Sequence, residues 1–361
     1  MDAIRNMTEQ DLALLDEYVR MSRTAGARVD YVQGGGGNTS VKLSNGRMAV
    51  KASGFRLAQV SRDQAYVVVD AAAIRAWYAA VDLAEDRDFE KESVAVAKGA
   101  VVPDYGPQGL RPSVEAGFHA GLGPFVVHTH AVQANLLCCS AEGERLVKAL
   151  FTDAGFPAVW IPYINPGFCL TVRISAARAA MKAHTGNDPH IFFMENHGII
   201  VWGEDADAAL QLHDEVNHRI TRYFGLTQAY PVPAVKAAGE GVYESATLLT
   251  QAFVKDWQAD AAFFERFPLY PDQLVYLNSG MQGEGAARKV ETDPVTGVVR
   301  YRCGEAEAMA VEETLLGYAW VMEHIRRTDL TLKTMTAQDV DFIRNWESEA
   351  YRRSLVRKSA T

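Results

Sequence analysis

The sequence reads as an α/β protein: a layered αβα domain around a central β-sheet, followed by a smaller α+β module. Three observations predict this. Short apolar runs alternate with helix-length amphipathic segments up to about residue 226, as strands covered by helices do. The stretch 229–241, broken by two prolines and two glycines, then interrupts any regular period and reads as a linker between a domain over 1–228 and an extension over 242–361. With 361 residues, 48% hydrophobic and 22% charged, the chain is long and apolar enough to bury a full core.

The elements follow in order. Thr8-Glu9-Gln10-Asp11 is a capping pattern opening a helix whose Leu12, Leu15 and Val19 fall at helical spacing and which ends near Gly26. A strand-like stretch over 29–43 is interrupted by Gly34 to Gly37, where the glycines imply a tight backbone, and resumes over 39–42. Further strands fall at 48–50 and 65–69, with a helix over 71–80 and a polar stretch around 85–98 that reads as mobile. Ser113 can cap a short helix with Glu115 and His119 on one face, and a strand over 125–128 leads into a helix over 131–149. The pattern repeats as a strand at 158–161, a helix at 175–184, strands at 191–194 and 199–202, and a helix at 206–224. In the extension we expect a helix at 245–264, strands at 274–277 and 298–302, the second entered by a turn over 293–297, and helices at 305–327 and 336–357, the last begun by Thr336-Ala-Gln-Asp339.

The net charge of -9 and the absence of a basic tract make nucleic acid and anionic lipid poor partners, while a small anionic ligand stays open because it needs only local donors. No apolar run is long enough to span a bilayer and the N-terminus lacks a signal-peptide pattern, so the expected location is the cytoplasm. Cys138, Cys139, Cys169 and Cys303 form no C-x-x-C pair and read as buried thiols in a reducing compartment.

His128-Thr129-His130 ends an apolar strand, and the two-residue strand period sends both imidazoles to one face. A third imidazole is offered by Asn196-His197-Gly198, in a sharp turn between two apolar strands where a glycine lets the backbone bend. Three neutral nitrogens with an open position describe a catalytic zinc site better than a closed structural one. Glu115, on the helix just before the first strand, can reach the same pocket as a fourth ligand or a base, with His119 one turn along as the group that orients it. His184, His190, His213, His218 and His324 have no comparable context and read as structural. Gly34 to Gly37 followed by Asn38-Thr39-Ser40, together with Ser53-Gly54 and Ser113, offers backbone amides and short polar side chains to an anion. It matches neither a dinucleotide nor a nucleoside triphosphate loop.

Gly37-Asn38-Thr39-Ser40-Val41-Lys42, Ser53-Gly54, Ser113-Val114-Glu115, His128-Thr129-His130 and Asn196-His197-Gly198, in that order, resemble the class II aldolase/adducin family over roughly residues 9–225. The extension resembles the long form of that family, in which an aldolase domain is joined to a short-chain dehydrogenase. This chain contains no dehydrogenase glycine motif and so matches the aldolase part. The resemblance implies a zinc lyase that cleaves a phosphorylated ketose to dihydroxyacetone phosphate and an aldehyde through a metal-stabilised enediolate. It implies His128, His130 and His197 as ligands of one zinc per chain, Glu115 as metal-site carboxylate and acid–base, and Asn38, Ser53, Gly54 and Ser113 as the phosphate cradle, to which the glycine-rich segment adds Gly37 and Thr39 as substrate-binding candidates. Tyr163, in Pro162-Tyr-Ile-Asn-Pro-Gly167, stands where some members use a catalytic tyrosine, and Val114 departs from the second serine of short forms. Sugar-phosphate 4-epimerases and metal-free adducin-like scaffolds share the fold. Members are usually cyclic tetramers with sites between subunits, so the resemblance also implies a homo-oligomer, a tetramer by that pattern.

Overall fold

The computed structural model describes residues 6–283 and 288–345. The chain opens with α1 (Glu9–Gly26), whose N-cap Thr8 accepts from the Asp11 amide. A seven-stranded sheet follows from β1 (Asn38–Lys42), β2 (Arg47–Lys51), β3 (Tyr66–Asp70), β4 (Phe125–Thr129), β5 (Ala158–Ile161), β6 (Ile191–Met194) and β7 (Gly198–Gly203), in the spatial order β3-β2-β1-β4-β7-β6-β5. All neighbours are antiparallel except β5 and β6. The remaining helices of this part are α2 (Ala71–Ala80), α3 (Phe89–Gly99), α4 (Ala116–Gly121), α5 (Val132–Cys138), α6 (Gly143–Val147), α7 (Phe168–Thr185) and α8 (Ala206–Tyr223).

The layering follows from strand alternation. Val127, Phe193, Ile199 and Val201 enter one core together with residues of α1, α5 and α8. Their neighbours Val126, Phe192, Ile200 and Trp202 enter a second core on the opposite face, against Phe118 of α4 and Leu170 and Ile174 of α7. The expected αβα domain is therefore present. No described helix is long and apolar enough to cross a membrane.

A four-stranded antiparallel sheet, order β10-β11-β9-β8, forms the second, smaller region. Its strands are β8 (Val235–Gly239), β9 (Val242–Ser245), β10 (Val290–Thr292) and β11 (Val299–Tyr301), accompanied by α9 (Leu248–Asp256), α10 (Ala261–Arg266), α11 (Ser279–Met281), α12 (Glu305–Arg327) and α13 (Ala337–Asn345). Nearly every residue of α12 from Ala308 to Ile325 is buried, as expected of a helix that is covered on all sides. The Glu312 carboxylate ties it to the small sheet by accepting from Ser245, Thr250 and Tyr301. Leu315, Tyr318 and Ala319 of α12 share one continuous core with Leu136 and Leu137 of α5.

Several expectations are corrected. Residues 29–32 form a turn and not a strand, because Tyr31 and Val32 bond back to the Arg28 carbonyl. The stretch around 85–98 holds helix α3, capped by Asp88 and burying the i, i+4 pair Ser93 and Ala97, small residues that give little hydrophobic signal. The helix expected over 131–149 breaks after α5, since Asn196 and Lys333 donate to the carbonyls of Cys138 and Cys139. The linker over 229–241 contains β8, paired to β9 across a turn at Gly241. The helix expected at 245–264 is split into α9 and α10, with Gln258 at φ 52 between them and Asp260 capping the second. Residues 274–277 lie in a π-helical turn (Gln273–Asn278), an apolar run whose periodicity cannot separate strand from buried helix. The helix at 175–184 begins earlier, at Phe168, because Glu90 accepts from the Phe168 and Cys169 amides. For the expected last helix, residues 346–357 lie outside the described residues.

Candidate metal centre

The register of β1 on β4 sets Asn38 directly opposite His128. Alternation then gives Asn38, Ser40 and His128 one face of the sheet, and it is over this face that α4 begins, with Glu115 at its N-cap. His130 follows β4 by one residue. His197 comes from the turn between β6 and β7, where Asn196, at φ 50, takes the left-handed conformation that asparagine tolerates. Gly198 is needed for space: a Cβ there would lie 2.3 Å from the Thr129 carbonyl oxygen.

The three histidines, all buried, converge so that one ring nitrogen from each lies within 4.8 Å of the others. The Nε2 atoms of His128 and His130 are 3.2 Å apart. The Glu115 carboxylate stands 3.5 Å from Nε2 of His128 through one oxygen and 3.5 Å from Nε2 of His197 through the other. His128 Nδ1 donates to the Ile199 carbonyl at 2.9 Å, and His130 Nδ1 donates to the Asp272 carboxylate at 2.6 Å. Carbonyl and carboxylate oxygens only accept, so both rings carry a proton on Nδ1 and turn Nε2 toward each other and toward Glu115. Three imidazoles and a carboxylate gathered in a buried pocket suit a shared cation, and a metal ion is one that all four groups can reach. The donor set therefore fits a divalent metal ion.

Glu115 is held from behind. Asn38 Nδ2 donates to its Oε2 at 2.6 Å and to Ser113 Oγ at 3.2 Å. Asn38 Oδ1 accepts from His119 Nε2, whose Nδ1 accepts from Ser40 at 2.8 Å. His119 is thus linked to Glu115 through Asn38 and not by direct contact. Burial drives the His119 pKa well below its usual range, which keeps it neutral for this relay.

The expected phosphate cradle is split. Thr39 faces away from the site, bonding Ser22 of α1 at 2.7 Å, because strand alternation turns it to the opposite face from Asn38. Asn38 is occupied by Glu115, and Gly37 is buried at φ 68 against the His128 carbonyl. Gly34 donates its amide to Glu313 of α12 at 2.8 Å, so the glycine segment lies under the second region. Ser53 and Ser113 do come together, lining a cavity of about 320 Å3 with Lys91, Lys98 and Arg111. Tyr163 packs with Leu274, Tyr276 and Met335, and its buried hydroxyl has no hydrogen-bond partner among the described residues. The four cysteines are free thiols, with Cys138 and Cys139 buried and Cys169 and Cys303 partly exposed.

Two residues were missed by sequence reasoning. His213, read as structural without context, sits behind the site, bonding Thr129 Oγ1 at 2.6 Å. Asp272 lies 142 residues from His130 along the chain, and only the start of a helical turn at Pro271-Asp272 marks it.

Burial holds the pKa of His128 down to about 4, of His197 to about 3 and of His213 to about 4, against the partial opposition of Glu115 for the first two and Asp214 for the third. These imidazoles are neutral in the fold, while the unfolded chain binds their protons near pH 6.5. The metal-free protein is therefore fully stabilised above pH 6.5 and loses stability as the pH falls toward 4, by on the order of 2 kcal/mol per histidine. Melting of the chelator-treated protein between pH 7 and 4.5 checks this; a flat melting temperature over that span would contradict it.

A seven-stranded, mainly antiparallel sheet between helical layers, with three histidines and a carboxylate at one end of its central strand, defines an αβα protein with a metal-type centre. The Class II Aldolase and Adducin N-terminal domain family matches residues 16–223, and the chain belongs to it. The chain is similar to the "Uncharacterized oxidoreductase YuxG" of Bacillus subtilis (strain 168), with 29% identity over 244 residues, covering 62% of this chain and 32% of that protein. It thus spans about a third of the length of that relative. Among solved structures it is similar to the N-terminal Class II Aldolase domain of a conserved protein from Thermoplasma acidophilum, with 24% identity, 58% of this chain, 92% of that chain and a TM-score of 0.48. An L-fuculose 1-phosphate aldolase is similar at 19% identity, 60% of this chain, 86% of that chain and a TM-score of 0.40.

Proposed function

We propose that this protein is a zinc-dependent carbon–carbon lyase that cleaves a ketose 1-phosphate, or a similar sugar, to dihydroxyacetone phosphate and an aldehyde. The observation that carries the reading is the opposed, buried Nε2 atoms of His128 and His130 beside Glu115 and His197. An ion held there supplies Lewis-acid stabilisation of the negative charge that develops on the sugar oxygens as the bond breaks. Glu115 moves the proton. Its Oε2 is fixed by Asn38, and we place the exchanging proton at Oε1. Tyr163, whose hydroxyl has no hydrogen-bond partner among the described residues, is assigned as a hydrogen-bond donor to the substrate. A non-catalytic scaffold is disfavoured because it has no physical need for four convergent, buried donors.

The anionic end of the substrate is placed at Ser53, Gly54 and Ser113, where Lys91, Lys98 and Arg111 line the same cavity and give it positive charge. Inorganic phosphate then competes with substrate. Ser53→Ala combined with Ser113→Ala raises KM for a phosphorylated substrate, each lost hydrogen bond to a charged group being worth about 1.5 to 3 kcal/mol. Equal kinetics in the double variant, or no competition by phosphate, places the substrate's charge elsewhere. The activity itself is tested by incubating zinc-loaded protein with a panel of ketose 1-phosphates and analysing products. Two fragments are the expected result, whereas a single isomer identifies a 4-epimerase on the same fold.

A further inference from the structure

We propose that Asp272, from the C-terminal region, is a positioning residue for the metal centre, so that the extension completes a site whose four donors all lie in the aldolase domain. The inference rests on the metal reading above. Asp272 Oδ2 is 2.6 Å from His130 Nδ1, and both side chains are buried, at 2% and 5% exposure. A carboxylate accepting from Nδ1 fixes the tautomer that presents Nε2 to a metal, holds the ring's orientation and makes the nitrogen a stronger donor.

The surroundings show that this contact is built in. Gly36 passes so close that a Cβ there would sit 2.2 Å from Asp272 Oδ2 and 2.9 Å from His130 Nδ1, so any larger residue would wedge the pair apart. Asp272 itself is anchored by the helical turn that follows it. Gln273 accepts from the Leu269 amide at 2.7 Å and donates to the Phe264 carbonyl at 3.1 Å, deep in the core. The same short segment also supports the third histidine. Asn196, next to His197, donates to the Leu269 carbonyl at 2.8 Å and to the Lys333 carbonyl at 2.9 Å. Two of the three imidazoles thus take their placement from residues 269–272 and 333, far along the chain from the motifs that supply them.

The test compares metal-free parent protein with Asp272→Asn, Asp272→Ala and Gly36→Ala. Zinc affinity is measured by competition with a chromogenic chelator, the visible spectrum is recorded after loading with cobalt(II), and each metal-free form is melted. Loss of such an outer partner weakens metal binding by about 10- to 100-fold. We expect Asp272→Asn, which keeps size and a neutral acceptor, near the lower end and Asp272→Ala near the upper. Gly36→Ala should shift in the same direction although it alters neither partner. The cobalt bands should move in all three while the metal-free melting temperature of Asp272→Asn stays at the parent value. Zinc affinities within about two-fold of the parent, with unchanged cobalt bands, would overturn the proposal. So would variants that bind metal poorly only because their metal-free fold has already melted, since that makes Asp272 architectural. A parent that takes up no zinc is a different failure, of the metal reading itself.

Discussion

Glu115→Gln is expected to lower turnover by about 100- to 10,000-fold, the range over which a positioned acid–base group acts. The substitution keeps the shape of the side chain and a carbonyl oxygen able to accept from Asn38 Nδ2, which lies 2.6 Å from Oε2 in the parent. The relay from Ser40 through His119 to Asn38 therefore persists, and the three histidines keep their places. What is lost is the carboxylate proposed to give and take the proton. Zinc content should stay near the parent value, because three imidazoles remain to hold the ion. Activity within a few-fold of the parent would show that Glu115 is only structural and that the proton is moved by another residue.

His197→Ala is expected to act on a different quantity. It removes one of three nitrogens that lie within 4.8 Å of one another, so the protein should no longer retain a full equivalent of zinc after dialysis. Turnover should fall by at least about 100- to 1,000-fold, as expected when charge stabilisation at the reacting oxygen is lost. Unlike Glu115→Gln, the loss should be partly reversed by a large excess of zinc in the assay. The exposed His218 provides the control, and its alanine variant should match the parent in both metal and rate. Full zinc occupancy in His197→Ala would remove that residue from the ligand set.

The donors of the centre were legible in the sequence because strand period and chain order place them. His128 lies in β4 and His130 two residues on, just past its end, and His197 lies in the turn before β7, which pairs with β4. Glu115 was legible because α4 leads directly into β4. The same alternation turns Thr39 away from Asn38 and toward Ser22 of α1, which the glycine run before it obscures in the sequence. Asp272 was not legible at all. Its link to His130 is a long-range contact made by packing of a second region, and nothing in local spacing encodes it. The errors in secondary structure have the same origin. Residues 274–277 look like a strand in isolation and become a helical turn where Gln273 and α12 anchor them, and the break after Cys138 exists because Asn196 and Lys333 claim its last carbonyls.

The most direct test of the central claim is a calorimetric titration of chelator-treated protein with zinc at pH 7, repeated with His128→Ala. The parent should bind one ion per chain and melt at a higher temperature once loaded, because four buried donors acquire a shared cation. The His128→Ala protein should show no comparable site. A parent that binds no zinc, or binds it just as well when His128 is gone, would contradict the assignment of His128, His130 and His197 as a metal centre, and with it the lyase reading.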